Sequence, residues 1–379
     1  MTEPDWLYAL ARREVRNMAS YNAGLSSEAV RQRFALERIA KLGSNENHFG
    51  PSSRVIAAVT REAQHVGLYP DPECTELRLA LAARLGVEGA RLIFGNGSED
   101  LLGIISRVFL DHGDQVVTVL PSFGLHLLYP EAVGAEVIGV PMTAQLQIDV
   151  DGLLAALTPR TRLLMFACPS NPVGCALNEQ QLQSILDTLG PQTLLVFDEA
   201  YFEYACHAPG YPDCLALLEA SGKPYILLRT FSKAYALAGL RVGYGVASDV
   251  VLANLVDRLR TPFNLNRCAQ AAAVAALDDE EHLEQTLRHV ASERERLFNA
   301  LQALGVRPVP SLANFLFFAT PFAAESVNQQ LLARGVIVKP WREAGYTEYL
   351  RVSIGSAEDN QWFLEQLEAS LAVLHGMRD

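Results

Sequence analysis

The stretch "TFSKAYALAGLR", residues 230–241, decides the fold and places one lysine, Lys233, in an unusual setting. It continues an apolar run, "YILLRT" (225–230), and leads through small residues to Arg241. A solvated lysine normally has charged neighbours, whereas this one stands just past a predicted buried strand. A lysine in apolar surroundings loses preference for its charged form, and the neutral amine can form a Schiff base with a carbonyl compound.

Together with this strand, six similar apolar runs along the chain predict a sheet. With this strand included, the runs are "RLIFG" (91–95), "QVVTVL" (115–120), "AEVIGV" (135–140), "RLLMFA" (162–167), "TLLVFDEA" (193–200), "YILLRT" (225–230) and "RVGYGVA" (241–247). Most are separated by helix-length segments, and runs that are apolar on both faces are typical of a mainly parallel sheet. We therefore predict an α/β fold with a seven-stranded, mainly parallel sheet covered by helices.

The last third of the chain has a different pattern. A long charged helix (about 279–303) precedes "NFLFFA", "GVIVKP" and "YLRVSIG", and a final amphipathic helix begins at Ala357. This mixture predicts a smaller α+β domain. We expect a large domain at 51–265 and a small domain formed by 1–50, with an N-terminal arm, and 266–379.

Composition and charge argue against several classes of partner. The chain has 379 residues, 50% hydrophobic and 20% charged, as in a globular protein with one large core or two medium ones. The formal net charge of -12 disfavours nucleic acid or an anionic membrane as the main partner. No run approaches the ~20 apolar residues of a membrane span, and the start lacks a signal-peptide pattern. Six cysteines without a CxxC pair favour a reducing compartment, so we expect a cytoplasmic protein.

Polar residues follow several predicted strands, at the edge where parallel sheets bind ligands. After "RLIFG", the free N–H groups of Gly97, Ser98 and Glu99 open a helix, so the turn either holds a phosphate or simply starts that helix. After "RLLMFA", Asn171 in "CPSNPVG" belongs to a turn or to a site. No metal site is predicted.

"DEAY" places Asp198 and Glu199 at the end of an otherwise apolar strand. An acid there can cap a helix, but a buried carboxylate needs a cationic partner to stay ionised. Together with Lys233, an acid and a phosphate cup form the set that pyridoxal 5'-phosphate requires, with Asp198 paired to the ring nitrogen. The remaining parts of this predicted site are Asn171 at the ring oxygen, Phe123 stacked on the ring, and Ser232 with Arg241 at the phosphate.

At this point the chain resembles a known family. The segments "SNPVG", "DEAY", "TFSKAYALAGLRVGY" and "YLRVSIG" resemble signatures of the fold-type-I, aspartate-aminotransferase-like pyridoxal phosphate enzymes, over nearly the whole length. More narrowly, "YNAG" (21–24), "KLGSNENHFGPS" (41–52) and "LYPDPECTELRLALA" (68–82) are similar to the histidinol-phosphate aminotransferase branch.

The resemblance implies roles for individual residues. Lys233, Asp198 and Tyr201 are implied as catalytic, with Lys233 as the Schiff-base lysine and proton shuttle. The implied cofactor-binding residues are Gly97, Ser98, Glu99, Phe123, Asn171, Asp198, Tyr201, Thr230, Ser232, Lys233, Arg241 and Tyr69. Tyr69 is expected to reach the cofactor phosphate of the partner subunit, so the resemblance implies a homodimer with shared sites. The implied substrate-binding residues are Tyr21, Asn45, Lys339, Arg342 and Arg351.

The implied reaction is a transamination with ping-pong kinetics, in which an amino donor and an oxo-acid acceptor react in turn. The expected pair is histidinol phosphate and 2-oxoglutarate, giving imidazole acetol phosphate and glutamate, in histidine biosynthesis.

Three departures from the family pattern keep other substrates open. His48 stands where the family commonly has proline, Lys339 where it commonly has arginine, and Phe123 where it usually has tyrosine. Lysine lacks the bidentate fork of arginine, although Arg342 can compensate. The alternatives are an aminotransferase for aromatic amino acids or a specialised pathway, and a decarboxylase of phosphorylated amino acids. A non-catalytic cofactor-binding regulator is disfavoured, because no residues are left for a DNA-binding module.

Overall fold

The computed structural model of the chain describes residues 5–22 and 24–377. Residues 1–4 at the start, Ala23 of the "YNAG" motif and residues 378–379 lie outside the described part. Every predicted site residue lies inside it.

Each predicted apolar run forms at least one strand. In chain order the strands are β1 (Ala40–Lys41), β2 (Leu92–Gly95), β3 (Gln115–Leu120), β4 (Glu136–Pro141), β5 (Thr161–Ala167), β6 (Leu194–Asp198), β7 (Tyr225–Thr230), β8 (Gly243–Ala247), β9 (Arg307–Val309), β10 (Phe315–Ala319), β11 (Val336–Ile337), β12 (Lys339–Pro340) and β13 (Tyr349–Ser353). The short strands β1 and β9 were not predicted.

The large sheet has seven strands in the order β2-β8-β7-β6-β5-β3-β4. All neighbouring pairs are parallel except those of β8, which runs antiparallel to both β2 and β7. The predicted seven-stranded, mainly parallel sheet is therefore confirmed. Because β8 is reversed, β2 runs in the same direction as β7, and its carboxyl end lies at the same edge of the sheet.

Many of the helices begin at a Ser, Asp or Asn whose side chain caps the first turn. In chain order the helices are α1 (Asp5–Leu10), α2 (Arg13–Arg16), α3 (Ser27–Phe34), α4 (Ser53–Ala63), α5 (Thr75–Leu85), α6 (Ser98–Phe109), α7 (Leu125–Val133), α8 (Val150–Ala156), α9 (Glu179–Thr188), α10 (Phe202–Ala205), α11 (Cys214–Ser221), α12 (Val250–Asp257), α13 (Arg267–Leu277), α14 (Glu280–Ala303), α15 (Ala324–Leu332) and α16 (Ala357–Gly376). Asn178 and Gln181 form a capping box at the start of α9, which satisfies backbone N–H groups that the helix leaves free. Within the described residues, no helix is both long and apolar enough to cross a membrane.

Both faces of the large sheet are buried, and successive residues of a strand contribute to opposite faces. In β5, Leu163 and Met165 pack in a core with α6 and α12, whereas Leu164 and Phe166 pack in the core on the other face. This two-sided burial explains why the central strands read as continuous apolar runs.

The C-terminal part forms two small sheets. One has the order β12-β13-β10-β9 and is antiparallel, and the other is the parallel pair β1-β11. The run "GVIVKP" therefore serves two sheets: β11 pairs with the N-terminal strand β1, and β12 pairs with β13. Sequence periodicity does not show this division, because it depends on the partners of each half.

Candidate active site

The residues predicted from strand ends do follow strands whose carboxyl ends share one edge of the sheet. Asp198 is the last residue of β6, Lys233 lies three residues after β7, and Gly97 lies two residues after β2. Asn171 and Phe123 lie in the loops after β5 and β3.

Lys233 sits in the turn after β7 and is largely enclosed. Its Nζ donates a hydrogen bond to the carbonyl oxygen of Ser44 at 3.3 Å and lies 5.9 Å from the centre of the Tyr201 ring. Burial lowers the pKa of Lys233 to about 8, and the positive charge of Arg351 is the next largest cause. A neutral amine is therefore much more accessible near neutral pH than for a solvated lysine.

Asp198 is buried and held on both oxygens. Its Oδ2 lies 3.2 Å from Nε2 of His126, and its Oδ1 accepts a hydrogen bond from the backbone N–H of Ala200 at 3.0 Å. The other ring nitrogen of His126, Nδ1, lies 3.2 Å from Oγ of Ser122. These contacts fix the direction in which the carboxylate points.

Sequence reasoning missed His126, which is fully buried in the first turn of α7. The available signal was its place in "PSFGLH", three residues after Phe123 and in the segment that follows β3. A histidine at that position offers a ring nitrogen to any acid at the end of a nearby strand.

Glu199 does not share the site with Asp198. It is fully buried, and its Oε2 accepts a hydrogen bond from Nε of Arg229 at 2.9 Å and lies 2.8 Å from NH2 of the same guanidinium. The cationic partner expected for a buried acid of "DEAY" is therefore Arg229, and it belongs to Glu199.

An amide network surrounds the hydroxyl of Tyr201. The hydroxyl oxygen accepts hydrogen bonds from Nδ2 of Asn45 at 3.0 Å and from Nδ2 of Asn171 at 3.2 Å. Burial raises the pKa of Tyr201 to about 12, so the hydroxyl keeps its proton. Because both contacts use the oxygen as acceptor, that proton can be donated to a further oxygen in the site. Asn45 is itself fixed by Ser353, whose Oγ accepts from its backbone N–H at 2.7 Å.

Arg351 of β13 is buried next to this network. It donates from NH1 to Oδ1 of Asn171 at 2.6 Å and from NH2 to the carbonyl oxygen of Gly43 at 2.8 Å. Its Nε is buried and has no hydrogen-bond partner among the described residues. Burial lowers the pKa of Arg351 from its usual value.

A cradle of backbone and basic groups lies at the start of α6. Gly97 has a φ of +81°, and a Cβ at this position would lie 2.8 Å from NH2 of Arg241. A Cβ at Gly243 would lie 2.2 Å from the backbone nitrogen of Ser98. The two glycines therefore allow Arg241 and β8 to approach the free N–H groups of the helix start. Glu99 lies 3.4 Å from the same guanidinium nitrogen of Arg241.

Two hydroxyl groups follow β7 on the side of this cradle. Oγ1 of Thr230 donates to Oγ of Ser232 at 3.0 Å and accepts from the backbone N–H of Ser232 at 3.1 Å. Both residues are buried. Hydroxyls and helix N–H groups together are the donors that an anionic phosphate needs.

Tyr21, Phe123 and Lys339 lie at the outer side of the site. The rings of Tyr21 and Phe123 meet edge to face at 6.0 Å, and Nζ of Lys339 lies 5.9 Å from the Tyr21 ring centre. Lys339 also donates a hydrogen bond to the carbonyl oxygen of Asn22. Burial, with the positive charges of Arg351 and Arg342, lowers the pKa of Lys339 to about 8.

Two predicted site residues lie further out. Arg342 is exposed, and its NH2 lies 3.4 Å from Oε2 of Glu325 on α15. Tyr69 is 79% exposed, and its ring stacks on that of Phe263 at 4.6 Å. Tyr69 therefore faces outward on the single chain.

Comparisons with known proteins agree with this geometry. The chain is 46% identical to histidinol-phosphate aminotransferase 3 of Rhizobium meliloti (strain 1021) and 47% identical to histidinol-phosphate aminotransferase 1 of Mesorhizobium japonicum, each over 96% of this chain and 98% of the relative. Its structure is similar to that of histidinol-phosphate aminotransferase from Sinorhizobium meliloti in complex with pyridoxal-5'-phosphate, with a TM-score of 0.88, 29% identity, and coverage of 97% of this chain and 98% of that one. The family described as aminotransferase class I and II matches residues 37–367. Since these matches extend over almost the whole chain, the protein belongs to the aminotransferase class I and II family.

Proposed function

We propose that this chain is a pyridoxal-phosphate-dependent aminotransferase that moves the amino group of L-histidinol phosphate to 2-oxoglutarate. The products are imidazole acetol phosphate and glutamate. The observation that carries the choice of a phosphorylated donor is the pairing of Lys339 with Arg351, which are direct register partners on the antiparallel strands β12 and β13.

Directly opposed residues on neighbouring strands have side chains on the same face, and like charges at such positions are destabilising. The positive charge of Arg351 indeed helps to lower the pKa of Lys339. A bound dianion relieves this repulsion better than a single carboxylate, and charge-assisted bonds to phosphate are strong. The names of the relatives and this pair of cations both support a phosphorylated amine as donor.

The residues of the site fit pyridoxal phosphate. The cradle closed by Gly97 and Gly243 has no room for a Cβ, which suits close approach of a phosphate to the N–H groups of Ser98 and Glu99. Arg241, Thr230 and Ser232 would complete the phosphate site. Asp198, buried on His126, would hold the proton of the ring nitrogen.

The same fit extends to the ring. The hydroxyl of Tyr201 and the side-chain N–H of Asn171 would each donate a hydrogen bond to the ring oxygen. Phe123 would cover the ring face. When bound, this cofactor supplies an electron-withdrawing ring that takes up the electrons released as the substrate carbon loses a proton. The lysine that would bind the cofactor is Lys233, by its partly neutral amine.

The proton transfers fall to Lys233. Once displaced by the donor amine, its Nζ would accept the proton from the amine-bearing carbon of the substrate and deliver it to the carbon of the cofactor to which that amine is joined. Arg351 and Lys339 would hold the anionic end of the substrate, which orients that carbon toward Nζ. Because the first oxo product leaves before 2-oxoglutarate binds, the kinetics should be ping-pong.

The substitution Arg351→Ala tests the proposed donor. The parent protein should use L-histidinol phosphate at a higher kcat/KM than unphosphorylated L-histidinol, L-histidine, L-phenylalanine or L-tyrosine. Arg351→Ala should remove most of this preference, by roughly 10- to 100-fold, because a hydrogen bond to a charged group contributes about 1.5 to 3 kcal/mol. The measurement is kcat/KM for each donor with 2-oxoglutarate as the acceptor.

Arg307→Ala is the matched control, since Arg307 is an exposed arginine of β9 in the same sheet, paired with Glu348. It should leave every ratio unchanged. If an unphosphorylated aromatic amino acid reacts best and Arg351→Ala weakens all donors equally, the arginine binds an α-carboxylate. The chain is then an aromatic or specialised-pathway aminotransferase.

The proposal includes a homodimer in which each subunit supplies Tyr69 to the cofactor phosphate of the other. The exposed apolar side chains around Tyr69 support a protein partner on this surface, since Val66 and Leu68 are also largely exposed. Phe263, on which Tyr69 stacks, belongs to the same surface.

Mixing two inactive variants tests the shared site. Lys233→Ala and Tyr69→Ala chains, refolded together in equal amounts, should recover about a quarter of the parent activity, because half of the dimers are hybrids and each hybrid has one intact site. A mixture of Lys233→Ala with Asp198→Ala is the control and should stay inactive, since both residues belong to the same chain's site. A fully active Tyr69→Phe variant with normal cofactor affinity would argue that the Tyr69 hydroxyl plays no part.

Cellular location and domain division are part of the same proposal. All six cysteines are unbridged, which supports a reducing compartment and a cytoplasmic enzyme. The pairing of β1 with β11 supports a small domain that joins residues 1–50 to 266–379, beside a large domain at 51–265. The helix α13 packs against α4, so the two parts would be in contact.

A further inference from the structure

A buried ion pair lies beneath the site and has no role in the chemistry described above. Glu199 and Arg229 are both buried, and one oxygen of Glu199 accepts a hydrogen bond from Nε of the guanidinium and lies 2.8 Å from its NH2. The other oxygen accepts from the hydroxyl of Tyr211 at 2.9 Å. The guanidinium carbon of Arg229 lies 3.4 Å from the centre of the Phe202 ring.

Each member of this pair is the chain neighbour of a predicted site residue. Glu199 follows Asp198 directly, and Arg229 directly precedes Thr230. Because successive side chains of a strand point to opposite faces, the pair lies on the face of the sheet away from these two site residues. The core contacts agree, since Phe197 and Leu227 belong to one core and Val196 and Leu228 to the other.

The pair also joins the two strands that carry the acid and the lysine. Asp198 is the register partner of Leu228 at the end of the β6–β7 ladder, and the backbone N–H of Glu199 donates to the carbonyl oxygen of Leu228 at 2.8 Å. The ladder stops at this point, and the ion pair is the next connection between the strands. It therefore fixes the spacing of β6 and β7 where Asp198 and the turn to Lys233 begin.

Stability alone does not account for such a pair. Desolvating two charges is expensive, and replacing a buried ion pair with apolar residues of similar size is often neutral or stabilising. What apolar side chains do not supply is direction, since a carboxylate bound to a guanidinium and a phenol has one allowed orientation.

We infer that Glu199 and Arg229 are a positioning pair, which holds Asp198 and Thr230 at the separation that the cofactor requires. This inference rests on the proposed function. It assigns no contact with the substrate to either residue. Its specific consequence is that two residues on the opposite face of the sheet set the distance between the groups that would hold the ring nitrogen and the phosphate of the cofactor.

The test separates positioning from stability by comparing a single and a double variant. Glu199→Gln removes the carboxylate charge to which buried Arg229 is hydrogen-bonded, so it should lower the urea midpoint of unfolding of the cofactor-free chain. Glu199→Met combined with Arg229→Met removes both charges and should restore that midpoint, while Tyr211 keeps its second acceptor, the carbonyl oxygen of Cys168. In the cofactor-loaded double variant, the pH midpoint of the cofactor absorbance should still differ from that of the parent protein. Its kcat should be lower by on the order of 10- to 100-fold with little change in KM, as small misplacements in a site produce.

The matched control is the pair Glu293 and Arg296 on α14, which is also ion-paired and partly buried. Replacing both with methionine should leave the absorbance midpoint and kcat unchanged. If the double variant of Glu199 and Arg229 recovers stability, absorbance midpoint and kcat together, the pair is only structural and the inference is wrong.

If that double variant does not fold, Arg229→Lys decides the question, because lysine keeps the charge and loses the fork. A shifted absorbance midpoint with lowered kcat supports positioning, and parent values for both overturn it. Failure of the proposed function is distinct, since the parent protein itself would then bind no pyridoxal phosphate or transfer no amino group.

Discussion

Replacing Lys233 with alanine should lower turnover by roughly four orders of magnitude, the upper end of what a positioned proton-transfer group contributes. The reason is that one enclosed amine, with its pKa lowered to about 8, would both hold the cofactor and move the proton. Steady-state kinetics with L-histidinol phosphate and 2-oxoglutarate measure the loss. In the parent protein, borohydride reduction followed by proteolysis should leave the cofactor mass on the peptide that contains Lys233.

The pH dependence of this trapping follows from the lowered pKa. The neutral fraction of Lys233 falls about tenfold for each pH unit below 8, so cofactor attachment to the cofactor-free protein should slow on acidification and level off above pH 8. Lys41→Ala is the control, because Lys41 is exposed and paired with Glu46. A cofactor adduct found only on Lys41, Lys223 or Lys339 would show that the lysine is misassigned.

Asp198→Ala should lower kcat and kcat/KM together by about 100- to 1000-fold, the usual effect of removing one group that stabilises developing charge in a transition state. The cofactor should remain bound, because its phosphate contacts and Lys233 are untouched. The structure excludes the nearest substitute for this acid, since Glu199 is held by Arg229 on the other face of the sheet. The measurement is kcat and KM for both substrates, with absorbance to confirm cofactor content.

Asp187→Ala, which changes an exposed carboxylate near the end of α9, should behave as the parent protein. Turnover close to normal in Asp198→Ala would mean that a different acid holds the ring proton. Loss of the cofactor instead of loss of turnover would assign Asp198 to binding.

Much of the fold is readable from the sequence, because two-sided burial produces unmistakable apolar runs. The strands at 115–120 and 225–230 have the predicted limits, and the long helix starts one residue after the predicted position. The split of "GVIVKP" was not predictable, because Val336 pairs with Ala40 near the start of the chain, whereas Lys339 pairs with Arg351 in the strand that follows.

The residues of the site also fall into those that the sequence reveals and those that only the structure shows. Lys233, Asp198 and Asn171 are visible in the sequence because they interrupt apolar patterns at strand ends. His126 is less visible, since its place in the segment after β3 does not name its partner, and only the structure shows its ring 3.2 Å from Asp198. Arg342 matches a site residue by position, but its guanidinium lies against Glu325, because side-chain direction depends on neighbours that sequence spacing does not reveal.

The segment of β1 and Asn45 lies far in sequence from the residues that it contacts, and this separation determines when the protein can become active during synthesis. Asn45 takes its contacts from Asn314 and Ser353, the latter 308 residues further along the chain. The strands of the large sheet end at residue 247, so they can pair while the rest of the chain is still being synthesised. The binding site is incomplete until β13, the last strand, has been made. A nascent chain that already holds Lys233 and Asp198 therefore still lacks Lys339 and Arg351, the two cations proposed to bind the anionic end of the substrate, so the incomplete chain cannot select that substrate.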